Sequence, residues 1–184
     1  MLFQLMNSDI PLSKNERIRR VALLSCHTLR NIAFYRAGWR GLSPRFRNIQ
    51  FANSLNGNFL DQAVLEWCKL FADNNGKHHW RSVISDKKTF EEGLYQSIGI
   101  NKSAYKRYLL EVLRYRNKFI AHLDDERVMH PPKLKIARKA TVYLYDYLRN
   151  HPVAKRALSD VNLRGCEFYS ALYRLAFWEY RHWK

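Results

Sequence analysis

Acidic residues are scarce in this chain, long hydrophobic runs are absent, and cysteines are few. Only 16 Asp and Glu face 32 Lys and Arg, a net charge of +16, with the basic residues spread along the whole length. That balance excludes an acidic or neutral surface and favours polyanions. Nucleic acid is the first candidate partner, because neutralising phosphates releases counterions. An anionic membrane is the second, but no single amphipathic helix carries a Lys-rich face and no juxtamembrane cluster exists. No apolar run approaches the roughly 18 residues of a bilayer span. The first nine residues, MLFQLMNSD, lack a positive lead and a cleavage-site pattern. The expectation is a soluble, cytoplasmic protein with no membrane partner.

Cys26, Cys68 and Cys166 form an odd set without a C-x-x-C pair, which excludes a disulfide framework and a zinc knuckle and predicts free thiols in a reducing compartment. Gly-rich phosphate loops, a serine-nucleophile elbow and paired metal-binding carboxylates are also missing, so neither cofactor nor metal is expected. With no internal repeat, low-complexity segment or long linker, the 184 residues suit one domain spanning 1–184, large enough for its own core.

What is present is helical patterning. Ser13-Lys14-Asn15-Glu16 is a capping box. From it Ile18, Val21, Ala22, Ser25, Leu29, Ile32 and Ala33 recur at helical spacing until Gly38-Trp39-Arg40-Gly41 stops them. A second helix is predicted from about Asn48 to Ala72, ended by Asp73-Asn74-Asn75-Gly76, and a shorter one from Ser85 to Ser97. Gly99 and Asn101 precede the next, which carries Tyr105 to Leu123. His130-Pro131-Pro132 breaks the chain, and helices follow over Lys133 to Asn150 and Gly165 to His182, the last with Phe168, Leu172, Leu175 and Trp178 as its packed face. Val142-Tyr143-Leu144-Tyr145 hints at a strand, but its helical flanks argue against one. The predicted class is all-α, a helical bundle.

The stretch LRYRNKFIAHLD, 113–124, places polar groups inside an apolar pattern. Leu109, Leu110, Val112, Leu113, Phe119, Ile120 and Leu123 occupy more than one stripe, so this helix is expected to be buried on several sides. Asn117 shares a face with Leu110, Leu113 and Ile120. Arg116 shares another with Val112, Phe119 and Leu123, a setting that suits an interface, where the guanidinium fork can bind carboxylate or phosphate. His122 follows Arg116 by six positions, about 600° of turn and roughly 9 Å of rise. The two side chains therefore diverge by about 120° on a straight helix, and convergence requires local unwinding or a second copy of the chain across a twofold axis. The bland alternative is a solvated arginine, a structural histidine and an asparagine tying two helices together.

Arg116-Asn117-Lys118-Phe119-Ile120-Ala121-His122 resembles the signature of the HEPN superfamily: Arg, usually a polar residue next, then His after four to six intervening residues. The trailing Leu123-Asp124 resembles forms associated with abortive-infection-type members. The resemblance implies an antiparallel up-and-down, HEPN-like helical bundle with additional helices, a tendency to homodimerise and, in many members, metal-independent RNA endonuclease activity yielding a 2′,3′-cyclic phosphate and a 5′-hydroxyl. It assigns catalysis to Arg116, His122 and Asn117. A toxin or phage-defence role, with an antitoxin protein as a further partner, is the corresponding biological expectation. The alternative is a non-catalytic HEPN-fold module that binds RNA or protein.

RNA carries its own nucleophile in the 2′-hydroxyl, so cleavage needs only proton transfer and charge stabilisation. A histidine titrating near neutrality supplies the first and an arginine the second, while Asn117 would orient the histidine or a phosphate oxygen. Asp124, Asp125 and Glu126 would raise the pKa of His122 or, the preferred reading, lie as solvated loop charges. Lys118 is a further RNA-contact candidate. So is the loop Lys77-His78-His79-Trp80-Arg81, in which Lys77, His78, His79 and Arg81 would contact RNA, unless Trp80 merely anchors the loop; a zinc site there lacks a third ligand. Arg17 to Arg20 and Arg45 to Arg47 are expected to add diffuse charge, and Trp178 to pack on the bundle.

Overall fold

The computed structural model describes residues 12–41, 43–45, 49–121, 130–156, 158–160 and 162–182. These residues are mostly helical, and the class is all-α. Helix α1 spans Lys14–Ala37. At its start the Ser13 hydroxyl accepts from the Glu16 amide at 3.3 Å, and the Ser13 amide donates to the Glu16 carboxylate at 2.8 Å, so the capping box forms. Where Gly38 stops the helix, the chain makes a small hairpin: β1 (Trp39–Arg40) pairs antiparallel with β2 (Ser43–Pro44). The sequence pattern had shown a stop here but no strand, because two-residue strands are too short to display alternation.

Helix α2 covers Gln50–Phe71, and a 3₁₀ turn follows at Trp80–Ser82. Helix α3 (Lys87–Ile98) starts later than Ser85, because the Asp86 side chain caps it by accepting from the Thr89 amide at 3.0 Å. Its Gly93 has a packing reason: a Cβ there would sit 2.1 Å from the Tyr143 hydroxyl, so only glycine admits this closeness. Gly99 ends it at φ 78°, a left-handed cap. Helix α4 (Lys102–Tyr115) is capped by Asn101. Helix α5 is Leu134–Asn150, α6 Pro152–Lys155 and α7 Gly165–His182. Val142 to Tyr145 is helical, within α5.

One core draws on every helix. Trp67 lies at its centre, stacked on Phe71 at 5.2 Å and edge-on to Tyr108 at 5.5 Å; Val21, Leu29, Leu70, Phe90, Leu94 and Leu144 are fully buried around it. Truncating such a side chain to alanine costs about 2–5 kcal/mol.

Two packed faces differ from expectation. On α4 the inward side is Tyr105, Tyr108, Val112 and Tyr115, whereas Leu110 is 67% exposed. Tyr108 and Tyr115 bring both aromatic area and a hydroxyl that reaches a partner, whereas Tyr105 is held by its ring, 5.5 Å from that of Tyr95. The Tyr108 hydroxyl donates to the Lys133 carbonyl at 3.1 Å and accepts from the Ala137 amide at 3.3 Å, fixing the start of α5 to α4. The helix is therefore buried on one side only. On α7 the buried residues are Tyr169, Ala176 and Tyr180, while Leu175 and Trp178 are exposed. Trp178 instead lies over His182, with ring centroids 4.3 Å apart.

Candidate functional site

At Arg116 the α-helical ladder of α4 gives way to a π-helical stretch, Arg116–Ala121. Such wide turns add a residue to each hydrogen-bonded ring and are frequent at functional sites. The 120° divergence expected of positions six apart belongs to a straight α-helix, so it does not describe this segment. Phe119 and Ile120 still pack against the core, with Phe119 at 5.7 Å from the Tyr115 ring. One residue earlier, the Tyr115 hydroxyl donates to Asp61 at 2.9 Å, which ties the end of α4 to α2.

Arg116 is partly buried and has acquired a carboxylate. Its Nη1 donates to Asp73 Oδ1 at 2.5 Å, and its Nε donates to the Asn117 side-chain oxygen at 3.0 Å. Burial opposes the guanidinium charge, but the bond to Asp73, together with Cys68 and the Asp73 charge, outweighs it and raises the pKa above its ordinary value. Burial also pushes the Cys68 thiol up to about 12, so it stays neutral beside the arginine. Asn117 is exposed, and its oxygen orients the guanidinium instead of sitting in an apolar row. Asp73 was read from the sequence only as part of a helix-ending turn. Its spacing from Arg116, 43 positions, left no local signal of the pairing.

His122 lies outside the described residues, as do Leu123, Asp124, Asp125 and Glu126. Arg116 and Asn117 are thus brought together, and Lys118 is partly buried on the same π-helical turn.

The loop before α3 has folded inward. Trp80 is 3% exposed and lies 4.6 Å from the Phe90 ring, so it anchors the loop. His79 is 1% exposed. Its Nδ1 accepts from the Arg81 amide at 3.2 Å, and burial first, opposed by the Phe71 carbonyl, holds its pKa below the ordinary 6.5. A side chain so enclosed presents nothing to an RNA strand. The contact expected of His79 is corrected accordingly, since the half-turn that starts at Trp80 uses this imidazole as its cap. Arg81 pairs with Glu91 and donates to the Asn74 side chain at 3.1 Å. Lys77 is exposed and His78 partly so, and burial together with nearby Lys69, Arg20, Arg17 and Lys77 lowers the pKa of His78.

A different concentration of charge was not singled out from the sequence. A cleft of about 480 Å³ opens between α1, the Pro131-Pro132 segment, the start of α5 and Tyr169 of α7. Arg36, Lys133, Lys135 and Arg138 line it, and among the described residues no carboxylate does. The Arg138 guanidinium lies 4.9 Å from the centre of the Tyr169 ring. In the sequence, Lys135 and Arg138 stand three apart on one helix face, a signal that was available. Arg36 comes from another helix, and Pro131-Pro132 registered only as a break.

Of the other basic runs, Arg19 pairs with Asp160 at 2.8 Å. Arg45 donates to the Ala37 carbonyl at 2.7 Å and lies 4.4 Å from the centre of the Phe177 ring. Among the described residues no cluster of three His, Cys, Asp or Glu has metal-binding spacing, and no helix is long and apolar enough to cross a membrane. No family model, curated protein or solved structure matches the chain.

Proposed function

We propose that this chain is an RNA endonuclease of the HEPN type, an antiparallel up-and-down helical bundle acting in the cytoplasm as a homodimer. The observation that carries the reading is Arg116: it opens a π-helical turn and heads the pattern Arg116-Asn117 with His122 five residues beyond, on a chain with a net charge of +16. In this reading, His122 of one copy removes the proton from the ribose 2′-hydroxyl. The 2′-oxygen attacks the adjacent phosphorus, the P–O5′ bond breaks, and the leaving 5′-oxygen takes a proton from the imidazolium of the other copy. The products are a 2′,3′-cyclic phosphate and a 5′-hydroxyl, with atoms and charge conserved. Arg116 stabilises the growing charge on the phosphate oxygens, and Asn117 holds its guanidinium in place. A toxin or phage-defence role restrained by an antitoxin protein fits such an activity.

The test is cleavage of single-stranded or transfer RNA in EDTA. His122→Ala should lower the rate by about 10²–10⁴-fold, the contribution typical of a proton-transfer group, while circular dichroism stays unchanged. Equal cleavage by wild type and variant overturns the assignment.

One observation favours a second reading, a non-catalytic module binding RNA or protein: Arg116 is bonded to Asp73 and thus already partly neutralised. Asp73→Asn separates the two. If Asp73 restrains a catalytic arginine, the variant changes the cleavage rate. If the pair is purely structural, wild type cleaves no RNA and the variant loses at most about 1 kcal/mol of stability, as expected for a partly exposed ion pair.

A further inference from the structure

We propose that the cleft between α1 and the start of α5 binds the sugar–phosphate backbone of single-stranded RNA, with Arg36, Lys133, Lys135 and Arg138 as its phosphate contacts. Elsewhere four arginines pair with carboxylates: Arg19 with Asp160, Arg81 with Glu91, Arg116 with Asp73 and Arg164 with Glu167. Here four cations line one cleft, and among the described residues no acidic one joins them on the wall. Like charges held in one concavity repel each other, and an anion seated among them removes that repulsion.

The geometry supports a strand more than a surface. The cleft is concave and its volume of about 480 Å³ falls within the ~300–1,000 Å³ common for ligand sites. Arg36 from α1 and Arg138 from α5 line the same cleft with Tyr169, so its cations come from different helices. Stacking on Tyr169 fixes the Arg138 fork, which lowers the entropy lost on gripping a phosphate. The bond from Tyr108 to the Lys133 carbonyl holds the rim in place. None of the large exposed apolar residues lines the cleft, whereas adsorption to a membrane needs an apolar face to insert. The choice of RNA as the polymer rests on the proposed function; the cleft itself uses no residue of the cleavage machinery.

The test is fluorescence anisotropy with a labelled single-stranded RNA of about 12 nucleotides, within the usual span of such sites. The triple variant Arg36→Gln, Lys133→Gln, Lys135→Gln removes three phosphate contacts, and Arg138 is left to keep Tyr169 packed. With a slope of about −0.7 per contact on single strands, affinity at 0.1 M salt should fall about 100-fold, and the log–log salt slope should flatten by about 2. A control removing three charges elsewhere, Lys87→Gln, Lys88→Gln, Lys155→Gln, should change affinity less than about fivefold, the worth of one contact. The charge-keeping variant Lys133→Arg, Lys135→Arg should bind as wild type does. Equal losses in the triple variant and the control overturn the cleft and leave the RNA reading standing. Wild type that binds vesicles of anionic phospholipid but no RNA overturns both, and so does wild type that binds neither. If RNA binds and the triple variant weakens it while cleavage is absent, the cleft stands and the endonuclease reading fails.

Discussion

Two basic, aromatic regions of this molecule have opposite fates. The loop Lys77 to Arg81 gathers its cations, imidazoles and indole within five consecutive residues, and the fold spends most of them internally. Trp80 enters the core, His79 becomes a cap, and Arg81 meets Glu91. The cleft assembles Arg36 with Lys133, Lys135 and Arg138 from separate segments, with no carboxylate among the described residues of its lining. Density of a residue type along the chain thus measures the supply of chemistry. Tertiary partners decide how much of it stays available.

The largest way to break this contrast is to remove the loop's anchor. Trp80 is buried against Phe90, so Trp80→Ala should cost about 3–5 kcal/mol, the range for truncating a buried Trp, read as a lower urea midpoint. RNA affinity at the cleft should be unchanged at temperatures where the variant remains folded. A loss of affinity with retained stability would show that the loop, and not the cleft, contacts RNA.

Acid pH probes the same anchor. His79 has a folded pKa below 6.5 because its buried ring resists charging, and Arg81 opposes the proton while Asp73 and Glu91 favour it. As pH falls through 6.5 the unfolded chain takes up the proton first. The stability associated with a neutral His79 is therefore complete above that pH and is lost below it, down to the folded value. Protonation would also abolish the Nδ1 lone pair that accepts from the Arg81 amide. Urea midpoints measured from pH 8 to pH 5 should fall in wild type, and less steeply in His79→Gln. His78 shifts in the same direction, and its share remains in both proteins. Parallel slopes would show that folding does not lower the pKa of His79.

Much of the fold was legible because helix signals are local. The Ser13 and Glu16 box, the stop at Gly38, the Gly99 and Asn101 boundary and the Pro131-Pro132 break each act over a few residues, and each has a counterpart in the structure. The inward side of α4 was misread because leucines outranked tyrosines in an apolar count, although the tyrosines carry hydroxyls that reach Lys133 and Asp61. Of the candidate site, Arg116 and Asn117 were visible as a motif, but the π-helical turn and the Asp73 carboxylate were not. Neither a change of helical pitch nor a partner 43 positions away leaves a periodic trace. The cleft escaped for the second of these reasons.

The smallest effect expected is also the one that separates the two regions most directly. Lys77 is exposed in the loop, whereas Lys135 is exposed at the cleft, and each substitution to Gln removes one positive charge. Long-range attraction is nearly the same for both, because exposed charges act over roughly a Debye length and the chain remains strongly basic. A specific phosphate contact adds about fivefold in affinity at 0.1 M salt, and only the residue that makes one loses it. Lys135→Gln should therefore weaken RNA binding about fivefold, and Lys77→Gln by less than about twofold. The reverse order in anisotropy titrations would return the nucleic-acid contact to the loop, and it would mean that Lys77 reaches a strand despite the inward folding of His79 and Trp80.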